Sequence, residues 1–477
     1  MNKTHFKFQI FLLSLAIFSI HQSTFAQSSW KMKKATLNYV DLSDDAKITA
    51  QPIMTQSIKL KKAKSKVASV SIDLKTIVHP NLSGIGGAFN EQGGEAFMSM
   101  SVADRNKLTE ALFNPTKGAG LTFCRTAIGA SDFGLSAYSY SEVPEDYEMK
   151  NFTVERDTKS VIPFILAAKA ENPALKMFAS PWSPPAWMKV SGKMEGGKGN
   201  DAINVLKADP AIYKAYALYF SKYMQEYAKH GVDISRFHIQ NETDMNPPYP
   251  GCDMSSMQME ELVSGYIKPQ FLKDGIKTEI WAGTFRGKRS DAQSFMKLDG
   301  AKNVVGVGLQ YCKPEVMTEL RTNYPNLKMM HTEGACYNGK NSMEQARKRF
   351  GEVADWLNSG CDNYCYWNIV LNETGKSAWD WKQNSLVNID RETKAVTYNP
   401  DFAALALLSR FIRPGDQCLK AETVEGEVAI AVRNTNRLVV FVQNIEKTAQ
   451  HKHLKLAGKV YDFEIPAQSL CALVIDK

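Results

Sequence analysis

Past residue 20 the sequence has no apolar run long enough to cross a bilayer, so no integral membrane segment is expected in the mature chain. It has no Gly-rich turn of the kind that cradles phosphate between a strand and a helix, which weighs against a doubly wound nucleotide-binding sheet. Nor is its charge that of a nucleic-acid binder. Of the net +8, five lysines crowd into Lys59-Leu-Lys-Lys-Ala-Lys-Ser-Lys66, a run that reads as a solvated edge strand or turn whose lysines blunt strand pairing. A patch for anionic surfaces is the other reading of that run. Metal-ligand patterns are sparse too: Cys361 and Cys365 have a suggestive spacing, but no His and no second Cys pair stands beside them. No metal and no organic cofactor is expected. The eight cysteines do not demand a disulfide framework, because 477 residues bury a large core without one. Cys124, Cys361 and Cys365 fall inside apolar runs, and most of the eight read as buried thiols.

What is present describes a globular, exported chain. Hydrophobic residues at 44% and charged residues at 23% exclude disorder and a multi-pass membrane protein alike. Lys3 and Lys7 precede the apolar stretch from Phe8 to Ile20, followed by Thr24-Phe25-Ala26, small residues at the spacing signal peptidase accepts. Residues 1–26 therefore read as a secretory signal cleaved after Ala26. No cysteine follows to suggest a lipid anchor, so the mature chain is expected to be periplasmic or secreted.

Two textures alternate in the remainder. From Ile48 to His79 and from Gln417 to Lys477 the chain shows short alternating runs such as Val428-Ala-Ile-Ala-Val432, which read as β-strands. Neither end suffices alone, so both are expected to pair into one small β-sandwich domain, residues 27–80 with 411–477. Between them, over residues 81–410, β-like runs alternate with helical stretches. The runs are Ile85 to Phe89, Leu121 to Ile128, Leu175 to Trp182, Arg236 to Glu242, Glu279 to Phe285, Val304 to Tyr311, Lys328 to Glu333 and Tyr364 to Val370. Eight such units predict a (β/α)8 TIM barrel. One helix is plain: Asp209 caps it, Pro210 suits its first position, and Ile212, Tyr216, Tyr219, Phe220, Tyr223 and Tyr227 recur at helical spacing before Gly231. Those tyrosines read as the face packed on the barrel.

Two glutamates carry the chemistry. Glu242 ends Ser235-Arg-Phe-His-Ile-Gln-Asn-Glu242, and Glu333 ends Leu327-Lys-Met-Met-His-Thr-Glu333. A carboxylate at the end of a buried strand is strongly disfavoured unless something there pairs or uses it. In a barrel the rims of strands four and seven face each other, so these acids can flank one bond of a substrate. A retaining glycosidase needs such a pair, with carboxyl groups roughly 5 to 5.5 Å apart. Two unrelated surface salt bridges are the bland alternative.

Seven motifs, in order, resemble glycoside hydrolase family 30, which holds glucosylceramidases, β-1,6-glucanases and related xylanases. They are Gly84-Ile-Gly-Gly-Ala-Phe-Asn90, Arg125-Thr-Ala-Ile-Gly-Ala-Ser-Asp-Phe133, Ser180-Pro-Trp-Ser-Pro-Pro-Ala-Trp-Met-Lys189, Ile239-Gln-Asn-Glu242, Thr332-Glu-Gly334, Trp367-Asn-Ile-Val-Leu371 and Ser409-Arg-Phe-Ile-Arg-Pro-Gly415. The resemblance implies a retaining β-glycosidase with Glu242 as acid/base and Glu333 as nucleophile. It implies that Asn241 donates to the sugar 2-hydroxyl and that Arg125 lies beside the nucleophile and keeps it ionised. A purely structural ion pair is the other reading of Arg125. Asp132, Trp182, Trp367 and Asn384 match positions that bind the non-reducing-side sugar, while Trp187, Trp379 and Trp381 read at least as readily as packing residues. Tyr311 is expected to hydrogen-bond Glu333. Here the chain departs from some relatives, which carry a His two residues before that Tyr where this sequence has Leu309-Gln310-Tyr311.

For the substrate, Asn90-Glu-Gln-Gly-Gly-Glu-Ala-Phe97 and Tyr138-Ser-Tyr140-Ser-Glu142 look closest to the β-1,6-glucanase branch. An endo-β-1,6-glucanase acting as a monomer on a polysaccharide or oligosaccharide β-glycoside is the expectation. A glucosylceramidase-like or exo-acting β-glucosidase, β-xylosidase or β-fucosidase is the alternative. A catalytically silent glycan-binding protein is a remote one, since a binder has no chemical need for both carboxylates and Asn241.

Overall fold

The computed structural model describes residues 34–64, 67–197, 204–286 and 291–477, which form one compact unit. The signal read over residues 1–26 and its cleavage point lie outside them, as do Ser65 and Lys66 of the lysine run.

Eight parallel strands build the barrel: Gly84–Phe89, Phe123–Ile128, Lys176–Pro181, Ile234–His238, Glu279–Phe285, Gly306–Gln310, Lys328–Glu333 and Asn363–Asn368, here strands one to eight. Each pairs with the next as far as strand seven, and strand eight pairs with strand one. Such strands are covered on both faces, so they appear in the sequence as continuous apolar runs rather than as alternation. The seam between strands seven and eight is closed differently. Asn363 accepts from His331 N at 3.1 Å and donates to His331 O at 2.8 Å, so one buried amide side chain does the work of a neighbouring backbone. Asp362 N to Met329 O (3.2 Å) and Gly334 N to Cys365 O (2.7 Å) complete the seam.

Side chains alternate along a strand, and this places the site. Phe123, Phe178, Trp281, Met330 and Cys365 fill a layer inside the barrel. Two residues further on, on the same faces of strands two, three, seven and eight, stand Arg125, Ser180, Thr332 and Trp367. The next layer toward the carboxyl ends is therefore polar, and in this fold that is the functional end.

Several strands are shorter than the sequence suggests, strands four and six among them. Strand six stops at Gln310 because Tyr311 has a left-handed backbone, φ +54°, which no β-strand accommodates, whereas strand four already stops at His238, before the left-handed Glu242 at φ +46°. The tyrosine-rich helix spans Pro210–Lys229; Asp209 accepts from Ala211 N and Ile212 N, and Tyr216, Tyr219, Tyr223 and Tyr227 are buried.

The two chain ends share one sheet of ten strands. It includes Lys34–Asp41, a strand not anticipated from sequence, which pairs antiparallel with Ser469–Asp476. Val70–His79 pairs with Gln417–Thr423, and Lys61–Lys62 forms the outermost strand beside Lys459–Ile465, the edge position that its lysines suit. Val439, Phe441, Ala472 and Val474 join the same core as the helices of the barrel, while the intervening Leu438, Val440, Leu473 and Ile475 are buried on the opposite face. Asn358 Nδ2 to Ala429 O and Arg347 Nη1 to Leu42 O tie helix Met343–Asn358 to this sheet.

Candidate active site

Arg125 organises the mouth of the barrel. It is 0% exposed, and a buried guanidinium costs several kcal/mol unless its donors are paired. Each of its three nitrogens finds an acceptor. Nη1 donates to Glu333 Oε2 (2.7 Å) and Thr332 O (3.1 Å), Nη2 to Asn241 Oδ1 (2.7 Å) and Ser180 Oγ (2.6 Å), and Nε to Ser180 Oγ (3.2 Å). The indole of Trp182 lies 4.5 Å from its Cζ, in cation–π contact.

The two carboxyl groups are dressed in opposite ways. Glu333 accepts on both oxygens, from Arg125 on Oε2 and from Tyr311 Oη on Oε1 at 2.6 Å. Glu242 has only longer contacts, with Arg286 Nε at 3.2 Å and Gln310 Nε2 at 3.4 Å, both on Oε1. Burial first, and then the charge of Glu333, push the Glu242 carboxyl up to about 7, against the pull of Arg286 and Gln310. One group is thus clasped by donors while the other retains its proton near neutrality. Strain gathers here: Glu242 and Tyr311, the donor to Glu333, both hold left-handed backbones.

Asn241 bridges the two halves. Its Oδ1 accepts from Arg125, from Thr284 Oγ1 (3.1 Å) and, at 3.5 Å, from Gln310 Nε2. With the carbonyl end occupied, its amide can only present N–H groups to the pocket. Gln310 is itself oriented by Thr332, whose hydroxyl donates to Gln310 Oε1 at 2.8 Å. The departure at Leu309-Gln310 therefore places an amide at Glu242, not at Glu333.

Asp132 closes the other side. Burial first, then Glu333 and Glu242, raise its carboxyl well above the usual range, and the neighbouring Trp367 indole opposes this only weakly. Asp132 Oδ1 and Trp367 Nε1 are buried and, beyond their approach to each other, neither finds a hydrogen-bond partner among the described residues. Trp182 and Trp367 stack on each other at 4.9 Å and 23°.

The family model for the glycosyl hydrolase family 30 TIM-barrel domain matches residues 82–412. The chain belongs to glycosyl hydrolase family 30. This family 30 chain is 28% identical to putative glucosylceramidase 3 of Caenorhabditis elegans over 407 residues, 79% of its own length and 75% of that protein's. It is 30% identical to the endo-1,6-beta-D-glucanase neg1 of Aspergillus fumigatus over 358 residues, 70% of each chain. The solved structure of the endo-beta1,6-glucanase BT3312 shares its fold, with a TM-score of 0.80 at 20% identity over 93% of this chain and 99% of that one.

In this family 30 barrel, Arg125, Asp132, Trp182, Asn241, Glu242, Tyr311, Glu333 and Trp367 converge on one mouth. Asn384 follows strand eight, where its carbonyl accepts from Asn368 Nδ2 at 3.0 Å and its Oδ1 is buried with no partner among the described residues. It is completely buried and donates from Nδ2 to Gln345 Oε1 at 2.8 Å, toward helix Met343–Asn358. The chain after strand eight forms a small extra sheet, Val370–Asn372 with Val387–Ile389 and Val396–Tyr398, and Asn384 enters it facing that helix. Two residues of the mouth escaped the sequence reading. Arg286 stands one residue past the apolar run of strand five, the same kind of position that exposed Glu242 and Glu333. Tyr249 packs against the buried cluster that contains Trp182 and Trp367, and burial, followed by the charges of Asp132, Glu242 and Glu333, raises its hydroxyl strongly. Its loop is anchored by buried Lys189, whose Nζ donates to Ser183 Oγ, Met194 O and Gly251 O at 3.1, 2.7 and 2.6 Å.

Proposed function

We propose that the protein is an exported retaining endo-β-1,6-glucanase. Glu242 protonates the leaving glycosidic oxygen while Glu333 attacks the anomeric carbon to form a glycosyl-enzyme. Glu242, now ionised, then takes a proton from the water that releases the sugar. The observation that carries this reading is the opposite dressing of the two carboxyl groups in one pocket. An acid that keeps its proton near neutrality suits proton donation, and a carboxylate clasped by Arg125 and Tyr311 suits attack. Asn241, free only to donate, suits a sugar 2-hydroxyl. Asp132 and Trp367, buried polar groups with no partner beyond each other, suit further hydroxyls of the same ring. Export rests on the signal read over residues 1–26.

The choice of β-1,6-glucan is supported by the 30% identity to neg1 and by the stretches Asn90 to Phe97 and Tyr138 to Glu142. An exo-acting, glucosylceramidase-like activity is the second reading, supported by the 28% identity over 407 residues. A product profile over a panel of β-glucans and aryl β-glycosides separates them. Oligosaccharides appearing early from β-1,6-glucan are expected, whereas release of monosaccharide alone sinks the endo reading. The pH dependence follows from Glu242: an acid that must be protonated, with its carboxyl near 7, loses kcat/KM as pH rises through about 7. The alkaline limb is expected to disappear in the residual activity of Glu242→Gln.

A further inference from the structure

Beyond the pocket at the two carboxyl groups, the strand-eight loop ends in a hairpin whose tip holds Trp381. The indole is 47% exposed, although the backbone beneath it is pinned. Trp381 N donates to Ser377 Oγ at 3.1 Å, Ser377 N donates to Trp381 O at 2.9 Å, and Trp379 N shares the same hydroxyl at 3.2 Å. Asp380, between the two indoles, takes a left-handed turn at φ +58° and pairs with Lys376 at 2.7 Å. Single exposed apolar side chains are ordinary, and Met257 and Leu272 are more exposed than Trp381. Those two sit on the helices Ser256–Leu262 and Lys268–Lys273, whereas Trp381 meets an aromatic residue of the mouth. Trp381 faces Tyr249, ring centroids 6.4 Å apart and planes at 44°, and Tyr249 in turn packs on the buried cluster that contains Trp182 and Trp367, near Asp132, Glu242 and Glu333.

We infer that Trp381 and Tyr249 form the two walls of a trough that holds a second sugar ring of a β-linked glucan, next to the ring at Glu242 and Glu333. This rests on the glycosidase reading above and extends it outward. A pyranose presents an apolar C–H face, which the half-exposed indole can cover, and a rim of hydroxyls, which the tyrosine Oη can meet. A 1,6-linked chain has an additional rotatable bond at each linkage and so loses more freedom on binding. A rigid platform lowers that ordering cost because it is already in place. Trp381 is accordingly a specificity residue: it favours chains over single residues and takes no part in bond cleavage.

The test is a KM-against-kcat comparison of wild type, Trp381→Ala and Trp381→Tyr on β-1,6-linked glucooligosaccharides of increasing length. In wild type kcat/KM is expected to climb with length. Trp381→Ala is expected to raise KM for the trisaccharide and longer chains about 10-fold, with kcat within a factor of about two, and Trp381→Tyr to recover most of the loss. Because the side chain is exposed, circular dichroism of the variants should match wild type. Unchanged KM at every length in Trp381→Ala overturns the trough and leaves the glycosidase reading intact. Failure of wild type to cleave any member of the series overturns the β-1,6-glucan reading and the trough with it.

Discussion

Glu333→Gln is expected to lower kcat/KM on glucan by on the order of 10^5-fold, and Glu242→Gln by about 10^2- to 10^4-fold. The two losses should differ in kind. Without the nucleophile no glycosyl-enzyme forms, whatever the leaving group. Without the acid, cleavage of a sugar–sugar bond fails, but a dinitrophenyl glycoside needs no protonation to depart. Glu242→Gln should therefore give a rapid burst on that substrate followed by very slow turnover, because water must then attack without a base. Neither substitution removes a large buried group, so both variants should fold. Stopped-flow kinetics with the two variants side by side reads the distinction directly; a burst in Glu333→Gln instead would reverse the roles.

Arg125→Met is expected to be the most disruptive single change outside the two acids. It leaves Glu333, Asn241 Oδ1 and Ser180 Oγ without the donor that satisfied them, in a site where Arg125 itself is fully buried. Breaking one side of a buried ion pair costs about 3–5 kcal/mol, against about 0–1 for an exposed pair. Urea unfolding should show a lower midpoint with an unchanged slope, and activity should fall with it because Glu333 loses one of its two donors. Arg125→Lys should rescue little, since a single ammonium cannot reach acceptors on strands three and seven and Asn241 together. A stability loss under about 1 kcal/mol would mean that the guanidinium is dispensable to the mouth.

How far the sequence could be read depended on whether a residue's position follows from local pattern. Glu242 and Glu333 stood out because charge at the end of an apolar run is improbable, and the same rule would have found Arg286. Barrel strands buried on both faces show as unbroken apolar runs, so all eight could be located. Their ends could not: strand four stops at His238, short of Glu242, and the left-handed backbone of Tyr311 stops strand six for a reason no propensity encodes. The seam between strands seven and eight, held by Asn363, was equally hidden: an amide in an apolar run does not announce that it replaces a ladder. That Asn384 donates to Gln345, 39 residues away in the chain, follows from no local pattern. Tyr249 lies in Asn246-Pro-Pro-Tyr-Pro-Gly-Cys252, a loop after Glu242 that in the sequence suits the leaving-group side and a plain rigid turn equally, with nothing to single out the tyrosine. Its position depends on Lys189, a buried cation far away in sequence, pushed down to about 8 by burial.

The division of labour between the two carboxyl groups is tested most directly by trapping the intermediate. Glu242→Gln is mixed with a dinitrophenyl β-glucoside, quenched during the slow phase, digested and analysed by mass spectrometry. The expected result is one added glucosyl unit on the peptide that carries Glu333. A glucosyl unit on any other residue, or none while the dinitrophenolate burst is present, would contradict the assignment.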